Sequence, residues 1–200
     1  DVHICVEILN AMLRKRGLSP VTLDEYYGIF DFPVVDYYRR AGFDLNSEAF
    51  ESVSEDYINA YSSVALYLPL RDGAKEIVRK LHSKGCRQVI LSASRKEALL
   101  EALERYGLAG YFTDVFGLED DYAYGKCELG RIAMDKLNLK PDNTVMIGDT
   151  LHDLDVACLM GIRCILVSGG HHSSEKLMSR HDMVCSSLKE VYDTVVQLEG

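Results

Sequence analysis

The sequence predicts an α/β fold in which a helical region precedes a parallel sheet, and three observations support this prediction. Residues 1–67 carry apolar side chains at helical spacing and contain no convincing strand. From Pro69 onward, short apolar runs alternate with amphipathic segments, which is typical of parallel βαβ units. One apolar run ends in Gly148-Asp149, and a second aspartate follows four residues later. We therefore expect a helical domain over 1–67 and an α/β domain over 68–200.

The helical region contains recognisable helix starts and stops. Its first predicted helix, over residues 2–16, has apolar side chains four residues apart, and Gly17 ends it. Thr22 and Glu25 have the spacing of a capping box, which predicts the start of a second helix. Asn46 is expected to cap a long helix that follows it. These segments together predict a small helical bundle.

The rest of the chain predicts alternating helices and strands. The expected helices span 72–84, 94–106, 128–137 and 151–160, with a last helix from Ser187. The expected strands span 88–92, 114–118, 144–148 and 164–168. Because helices connect successive strands, the strands should run parallel and present their carboxyl ends at one edge of the sheet.

Composition argues against several classes of protein. The chain has 200 residues, of which 48% are hydrophobic and 26% are charged, as is ordinary for a globular protein. A formal net charge of −9 without a long basic block argues against a nucleic-acid or anionic-membrane surface. No apolar run approaches the roughly 20 residues of a membrane span, and the first residues lack a signal peptide pattern. A cytoplasmic protein is expected, and its oligomeric state is left open.

The cysteines predict a reducing compartment rather than a metal site. The chain has six, at positions 5, 86, 127, 158, 164 and 185. They show no CxxC spacing and no histidine partner at a ligand distance. We therefore expect them to be buried thiols.

The acidic pair Asp149 and Asp153 is the most informative local feature. If a helix starts after Gly148, both carboxylates lie on one face at the carboxyl end of a strand. Open α/β sheets bind their ligands there, and carboxylate oxygens on a rigid corner suit a hard cation such as Mg²⁺. The alternative is structural, with Asp149 as a helix cap and Asp153 as an exposed acid favoured by the helix dipole.

Two further strand-to-helix boundaries carry groups that suit a phosphoryl ligand. Ser92 ends a predicted strand, and its hydroxyl together with the Ala93 N–H could bind phosphoryl oxygens. The alternative makes Ser92 a turn residue, and Ser94 is expected to cap the next helix. Lys126, in Tyr124-Gly125-Lys126-Cys127, lies just before a predicted helix. Its ammonium group would either face a ligand or be solvated.

Taken in this order, these motifs resemble those of the haloacid dehalogenase superfamily of phosphotransferases. Val89-Ile90-Leu91-Ser92 resembles the second motif of that family, Lys126 the third, and Gly148-Asp149-Thr150-Leu151-His152-Asp153 the fourth. Residues 1–67 lie where members resembling phosphoglycolate phosphatase insert a helical cap, and residues 34–41 look like part of that cap. The resemblance covers essentially the whole chain and implies a Rossmann-like parallel sheet with a helical cap domain.

The resemblance also implies a phosphatase that works through a phosphoaspartate. In this family an aspartate at the end of the first strand attacks phosphorus, and water then hydrolyses the intermediate. By that resemblance, Asp149 is a Mg²⁺ ligand, and Asp153 is a ligand or the partner of metal-bound water and Lys126. Ser92 and the Ala93 N–H form a phosphate cradle, and Lys126 neutralises phosphoryl charge. The implied substrate is a small phosphorylated metabolite, with phosphoglycolate as the nearest named example.

The first motif of the family, an apolar strand ending in Asp-x-Asp-Gly-Thr, is not in this sequence. In relatives, the helix that resembles residues 2–16 follows that motif within a few residues. We therefore expect the chain to be a fragment of a longer product. Its first strand would lie in the middle of the sheet, so strands 88–92 and 144–148 should not pair directly. The rival interpretations are a phosphomutase using the same phosphoaspartate and a non-catalytic relative that binds metal and phosphate.

The helical region offers only weak signals of a substrate. Seven of the twelve tyrosines precede residue 68, but their helical spacing favours a place in the core of the bundle over a pocket floor. Five Lys and Arg stand against eleven Asp and Glu up to residue 67, which gives no basic funnel for an anion. Arg39 and Arg40 offer a fork for a substrate carboxylate, although a solvated helix face is the simpler interpretation.

Overall fold

The computed structural model describes residues 1–118 and 125–198. The chain forms two compact units. The first comprises Asp1–Leu68 and Gly169–Lys176, and the second comprises Pro69–Ser168 and Leu177–Gly200. The first unit thus includes the segment 169–176, whereas the sequence predicted this segment to belong to the α/β domain.

The helices of the first unit are α1 (Val2–Lys15), α2 (Leu23–Ile29), α3 (Val34–Ala41) and α4 (Phe50–Ala65). Helix α1 ends where predicted, because Gly17 takes a left-handed conformation with φ of +70°. The predicted capping box forms at α2. The Thr22 hydroxyl accepts from the Glu25 N–H, and the Glu25 carboxylate accepts from the Thr22 N–H.

Aromatic and aliphatic side chains fill the interior of this unit. Leu9 and Tyr26 are fully buried, and Tyr37 and Tyr38 are each 3% exposed. The placement of tyrosines in the core is therefore confirmed for these three, whereas Tyr67 is 76% exposed. Helix α4 packs along α1, so the apolar faces predicted from periodicity meet each other.

The predicted cap of α4 is wrong. This helix begins at Phe50, and its N-cap position is Ala49, whose side chain makes no capping hydrogen bond. Asn46 lies instead in a turn before the helix, where its backbone N–H donates to the Asp44 carboxylate at 3.1 Å. The Asp44 side chain satisfies the backbone of this turn locally, so the chain enters the helix several residues later than Asn46.

The second unit alternates helices and strands, as predicted. Its first helices are α5 (Ala74–Ser83), α6 (Lys96–Tyr106), α7 (Lys126–Lys136) and α8 (Leu151–Met160). The chain leaves the first unit and enters the second within the short helix α9 (Ser174–Met178). The last helix of the second unit is α10 (Leu188–Leu198). The strands are β1 (Val89–Arg95), β2 (Asp114–Leu118), β3 (Val145–Gly148), β4 (Arg163–Val167) and β5 (Val184–Cys185). Helix α9 and strand β5 were not predicted, because they are too short to show a periodic pattern.

The strands form two parallel sheets in the part of the chain that the structure describes. Strand β1 pairs with β2, with Ile90 opposite Val115. The other sheet has the order β3-β4-β5, with Ile147 opposite Ile165. Within the described residues, 1–118 and 125–198, no hydrogen-bonded ladder joins β1 to β3. The expected lack of direct pairing is observed, whereas the strand expected between them stays a prediction.

Strand β4 holds the second sheet in place because both of its faces are buried. Ile165 and Val167 pack into one apolar cluster with α5 and α10. Cys164 and Leu166 point into another, which includes Ala157 of α8. A strand covered on both sides shows a continuous apolar run instead of an alternating pattern. This packing fixes the neighbouring strand β3, whose carboxyl end carries the acidic pair.

The boundary between β1 and α6 differs from the prediction. Ser94 lies inside β1, which continues to Arg95, and Arg95 is the N-cap of α6. The pairing of β1 with β2 is irregular between Leu91 and Arg95. The strand is locally distorted there, and its pairing with β2 resumes at Arg95. Ser94 donates its backbone N–H to the Ser92 hydroxyl at 3.1 Å. The expected helix cap at Ser94 is therefore wrong.

Candidate active site

The junction between β3 and α8 holds a buried carboxylate. Thr150 is the N-cap of α8 and forms a capping box with Asp153. Oδ2 of Asp153 accepts hydrogen bonds from the backbone N–H groups of Asp149 at 3.1 Å and Thr150 at 3.0 Å. It also accepts one from the Thr150 hydroxyl at 2.7 Å. These donors allow a carboxylate that is only 3% exposed to remain hydrogen-bonded.

The structural alternative for the acidic pair is wrong about the cap and about the exposure of Asp153, whereas Asp153 does lie in the first turn of the helix as that alternative expected. The helix cap is Thr150, not Asp149, and Asp153 is buried instead of lying on the exposed side of the first turn. The cause lies at Gly148, over which the Asp153 side chain packs. A methyl group at Gly148 would overlap Cβ and Cγ of Asp153. The glycine thus permits the carboxylate to fold back onto the end of the strand.

Lys126 contacts this carboxylate directly. It is the first residue of α7, where Gly125 occupies the N-cap position, so it lies inside the helix and not just before it. Its Nζ donates a hydrogen bond to Oδ1 of Asp153. The Lys126 side chain is 18% exposed and that of Asp153 is 4% exposed. Tyr124, which belongs to the same motif, lies outside the described residues.

Electrostatics keep Asp153 ionised despite its burial. Burial by itself raises the pKa of this carboxyl, since a charged group loses its hydration. The charge of Lys126 and the hydrogen bonds from Lys126 and Thr150 outweigh that effect, and the pKa of Asp153 is lowered. The site therefore holds a carboxylate and an ammonium group in direct contact in a poorly hydrated place.

The donor set suits a hydrated divalent cation. Asp149 is partly exposed at the carboxyl end of β3. Both oxygens of Asp153 are already engaged, one by three donors and the other by Lys126. Asp149 therefore fits a direct ligand, and Asp153 fits a residue that holds metal-bound water and orients Lys126. The residues present fit a Mg²⁺ ion that keeps most of its waters.

Ser92 and Ala93 lie on β1, the strand against which α7 packs. Ser92 is partly buried, and its hydroxyl accepts the backbone N–H of Ser94. Ala93 is exposed. The structure thus brings Lys126 and Asp153 into contact and places Asp149 beside them. The convergence of Ser92 and Ala93 on the same ligand stays a prediction.

Sequence reasoning missed two features. Thr150 donates its hydroxyl to Asp153, and the spacing Thr-x-x-Asp of a capping box was the signal that could have found it. In the first unit, ligand atoms of Asp1, Cys5 and His171 all lie within 4.8 Å of one another. The expectation that no cysteine has a histidine partner is therefore wrong for Cys5. No local pattern could have shown it, because His171 comes from a distant part of the sequence.

Arg39 lies on a solvated helix face, as the simpler of its two interpretations predicted. Its guanidinium group pairs with Asp36 one turn earlier on α3 at 2.8 Å, and the Arg39 side chain is 59% exposed. Arg40 is also exposed. Such a pair on a helix surface contributes little to stability. The exposure of both arginines agrees with a solvated helix face.

Comparison with known proteins identifies relatives of this chain. Residues 1–167 match the family model described as haloacid dehalogenase-like hydrolase. A phosphoglycolate phosphatase of Vibrio parahaemolyticus is 26% identical over 157 residues, which cover 76% of this chain and 66% of the relative. The pyrophosphatase PpaX of Halalkalibacterium halodurans is 25% identical over 126 residues, which cover 62% and 59%. The chain thus spans about two thirds or less of the length of these curated relatives.

A solved structure shares the fold. The crystal structure of a predicted phosphatase from Clostridium acetobutylicum matches with a TM-score of 0.82 and 21% sequence identity. The match covers 98% of this chain and 92% of that one. At this identity the likeness supports the architecture and leaves the chemistry to be argued from the site.

The search for membrane-spanning elements gave a negative result. Over residues 1–118 and 125–198, no helix combines the length and apolar character that crossing a bilayer requires.

Proposed function

Because the chain belongs to the haloacid dehalogenase-like hydrolase family, we propose that it provides the phosphate-binding groups of a Mg²⁺-dependent phosphatase of small phosphorylated metabolites. The observation that carries this proposal is the contact between Lys126 and the buried carboxylate of Asp153. A buried ion pair is a weak source of stability, because desolvating the two charges offsets their attraction. Its presence beside Asp149 at the carboxyl end of β3 favours a role in chemistry.

Each residue has a role that its surroundings support. Asp149 would bind the cation, and Asp153 would hold metal-bound water and fix the direction of the Lys126 ammonium group. Lys126 would neutralise charge on the phosphoryl oxygens, while the Ser92 hydroxyl and the Ala93 N–H would bind them. When bound, Mg²⁺ supplies positive charge that stabilises the phosphoryl group during transfer. Phosphoryl transfer depends chiefly on such positioning and charge neutralisation.

The aspartate that attacks phosphorus in this family has no counterpart among these 200 residues. The proposal therefore assigns to this chain only the groups that bind and neutralise the phosphoryl group. The side of β1 that faces away from β2 and the side of β3 that faces away from β4 carry no described strand, and Ile147 of β3 is 39% exposed. A strand bearing the nucleophile, placed between β1 and β3, would cover these edges and present its carboxylate to Lys126.

The substrate is proposed only as a class. The two curated relatives are named for different substrates, phosphoglycolate and pyrophosphate. Both are small phosphorylated compounds, and we take phosphoglycolate as the first compound to test. The free cysteines, three of them buried, support the cytoplasm as the location, since thiols persist in a reducing compartment.

The test measures phosphate release by the full-length gene product from a panel of small phosphate monoesters that includes phosphoglycolate. Activity should require Mg²⁺, disappear with a chelator and return when Mg²⁺ is added. Lys126→Ala should lower turnover by about a thousandfold, since a charge-stabilising group is worth about 4 kcal/mol in such a site. Thermal unfolding should show that the variant remains folded at the assay temperature.

Lys140→Ala is the matched control, because Lys140 is an exposed lysine of the same unit and should leave turnover unchanged. If the loss of turnover in Lys126→Ala were no larger than the fraction of the variant that is unfolded at the assay temperature, the lysine would have only a structural role and the proposal would be contradicted. Isomerisation of a sugar phosphate without phosphate release would indicate a phosphomutase. Binding of Mg²⁺ and phosphate without any turnover would indicate the non-catalytic binding module.

A further inference from the structure

We propose that Asp1, Cys5 and His171 form a zinc-binding site inside the first unit. The site would fasten segment 169–176 to helix α1. It uses none of the residues assigned to phosphate or Mg²⁺ binding, so it can hold or fail independently of the proposed phosphatase function.

The backbone brings these three side chains together. Asp1 is the N-cap of α1 and Cys5 lies one turn later on the same face, with the Cys5 N–H donating to the Asp1 carbonyl at 3.0 Å. His171 is contributed by segment 169–176, which belongs to the same compact unit. One possible ligand atom from each side chain lies within 4.8 Å of the other two.

The three candidate ligands differ in exposure, and the cluster is open to solvent on the side of Asp1. Cys5 is 2% exposed, His171 is partly exposed and Asp1 is exposed. A metal ion could therefore enter past Asp1 and keep a water molecule as its fourth ligand. Zinc sites with three protein ligands and one water have this arrangement.

A tyrosine hydroxyl contacts each of the three candidate ligands. Tyr61 donates to Oδ2 of Asp1 at 2.7 Å. The Tyr26 hydroxyl lies 2.7 Å from Nδ1 of His171, and Tyr26 is fully buried. A hydrogen bond also joins Tyr57 to the Cys5 side chain. The contact with Tyr26 thus restrains the His171 ring at Nδ1.

Hydrogen bonds such as these, made by residues around the ligands, orient the ligands of a metal site. Metal-binding histidines usually form a hydrogen bond through their second nitrogen, which fixes the ring and its tautomer. Here the tyrosines orient all three ligands, and Tyr57 and Tyr61 stack on each other with ring centroids 6.2 Å apart. Tyr26 belongs to the unit's buried core, and Tyr57 and Tyr61 pack against that core, so the ligands are positioned before a metal binds.

The ligand types select zinc among the common divalent ions. A thiolate and an imidazole disfavour Mg²⁺ and Ca²⁺, which prefer oxygen ligands, and they suit Zn²⁺. Zinc bonds of about 2.0 to 2.3 Å place tetrahedral ligand atoms about 3.3 to 3.8 Å apart. The observed separations of up to 4.8 Å are close enough for small side-chain rotations to complete the site.

The first experiment adds Co²⁺ to the full-length protein without a polyhistidine tag and with excess Mg²⁺ present. Co²⁺ is a spectroscopic substitute for zinc, and a thiolate ligand gives it a charge-transfer band in the near ultraviolet. We expect this band with one Co²⁺ per chain, and we expect Zn²⁺ to remove it by displacement. A protein that shows no thiolate band, or a band that Zn²⁺ does not displace, would overturn the proposal.

The second experiment compares thermal unfolding with and without Zn²⁺ in matched variants. At free Zn²⁺ about 100-fold above the dissociation constant, the unfolding temperature of the parent protein should rise by about 5 to 10 °C. Cys5→Ser and His171→Ala should each lose the rise and the cobalt band. Because each variant is compared with itself, a change in its basal stability does not affect the result.

The control variants carry the same chemical changes elsewhere. Cys158 and His82 are exposed, so Cys158→Ser and His82→Ala should keep both the band and the rise. Loss of the band in Cys158→Ser, or its persistence in Cys5→Ser or His171→Ala, would show that the metal binds elsewhere and would overturn the assignment.

Discussion

Each unit contains a cation that binds carboxylates, but the two clusters differ in their burial. In the first unit, Arg16 binds Glu48 at 2.5 Å and Asp56 at 2.8 Å, and both acidic side chains are 33% exposed. In the second unit, Lys126 binds an aspartate whose side chain is 4% exposed. The two cations are similarly buried, since the side chains of Arg16 and Lys126 are 16% and 18% exposed, so the clusters differ in the hydration of their carboxylates.

The difference in burial changes what each cluster contributes to stability. Arg16 joins the end of α1 to Glu48, which precedes α4, and to Asp56 within α4, and it also lies 5.1 Å from the ring centroid of Phe43. Such partly hydrated contacts add modestly to stability. The Lys126 pair joins the starts of two helices and has a high desolvation cost. The net contribution of such a pair to stability is small, although removing one partner alone is costly.

The largest effect on stability is expected from Asp153→Ala. It leaves Lys126 without its carboxylate and removes the acceptor of three hydrogen bonds, so the free energy of unfolding should fall by about 3 to 5 kcal/mol. Urea unfolding measures the change. Asp155→Ala is the control, because Asp155 is exposed on the same helix and should change stability by less than about 0.5 kcal/mol. Similar losses in both variants would remove the distinction between buried and surface carboxylates.

Gly148→Ala tests the packing of the buried pair without removing a charge. The added methyl group would overlap the Asp153 side chain, and we expect a loss of about 2 to 3 kcal/mol in the free energy of unfolding. In the first unit, Gly28→Ala places a methyl group in open space on α2 and should stabilise by about 0.5 to 1 kcal/mol. Urea unfolding of both variants should therefore give effects of opposite sign. A neutral Gly148→Ala would mean that Asp153 does not pack over the strand end.

Arg16→Gln tests the partly exposed cluster. It removes two ion pairs and the contact with Phe43, and the free energy of unfolding should fall by about 1 to 2 kcal/mol. Arg14→Gln changes an exposed arginine of the same helix and should be nearly neutral. Chemical denaturation of both variants gives the comparison. A loss for Arg16→Gln that matched the loss for Asp153→Ala would contradict the proposed ranking by burial.

The smallest expected effect is the pH dependence of the Arg16 cluster. Hydrogen bonds from Arg16 lower the pKa of Glu48, and hydrogen bonds from Arg16 and then Lys15 lower the pKa of Asp56. A carboxyl whose pKa is lowered by folding contributes stability above its unfolded pKa and loses it as the pH falls through its folded pKa. The stability difference between the parent protein and Arg16→Gln should stay constant from pH 7 to about 5. It should then shrink below the ordinary values of 4.5 and 3.8. A difference that stays constant down to pH 3 would show that the ion pairs contribute nothing and that packing on Phe43 accounts for the effect of Arg16.

Several features of the site could be predicted from local sequence. Gly148 ends an apolar strand, Asp149 and Asp153 follow it, and the helix begins at the predicted Leu151. Lys126 was recognised from its place before an amphipathic segment, although the helix begins at this residue and not after it. These features depend on residues close in the chain, where helix and strand periodicity carry the information. The boundaries at Asn46 and Ser94 were wrong because turn and strand pairing competed with helix capping.

The sequence by itself determined the alternation of helices and strands, the parallel direction of the sheet strands and the place of the acidic pair at the end of β3. Only the tertiary structure decided that Asp153 is buried and bound to Lys126, that segment 169–176 belongs with the first unit, and that His171 lies beside Cys5. The physical reason is the distance along the chain between the residues that interact. Backbone hydrogen bonding and apolar periodicity act over a few residues and leave a readable pattern, whereas burial and ion pairing depend on residues that approach only when the chain has folded.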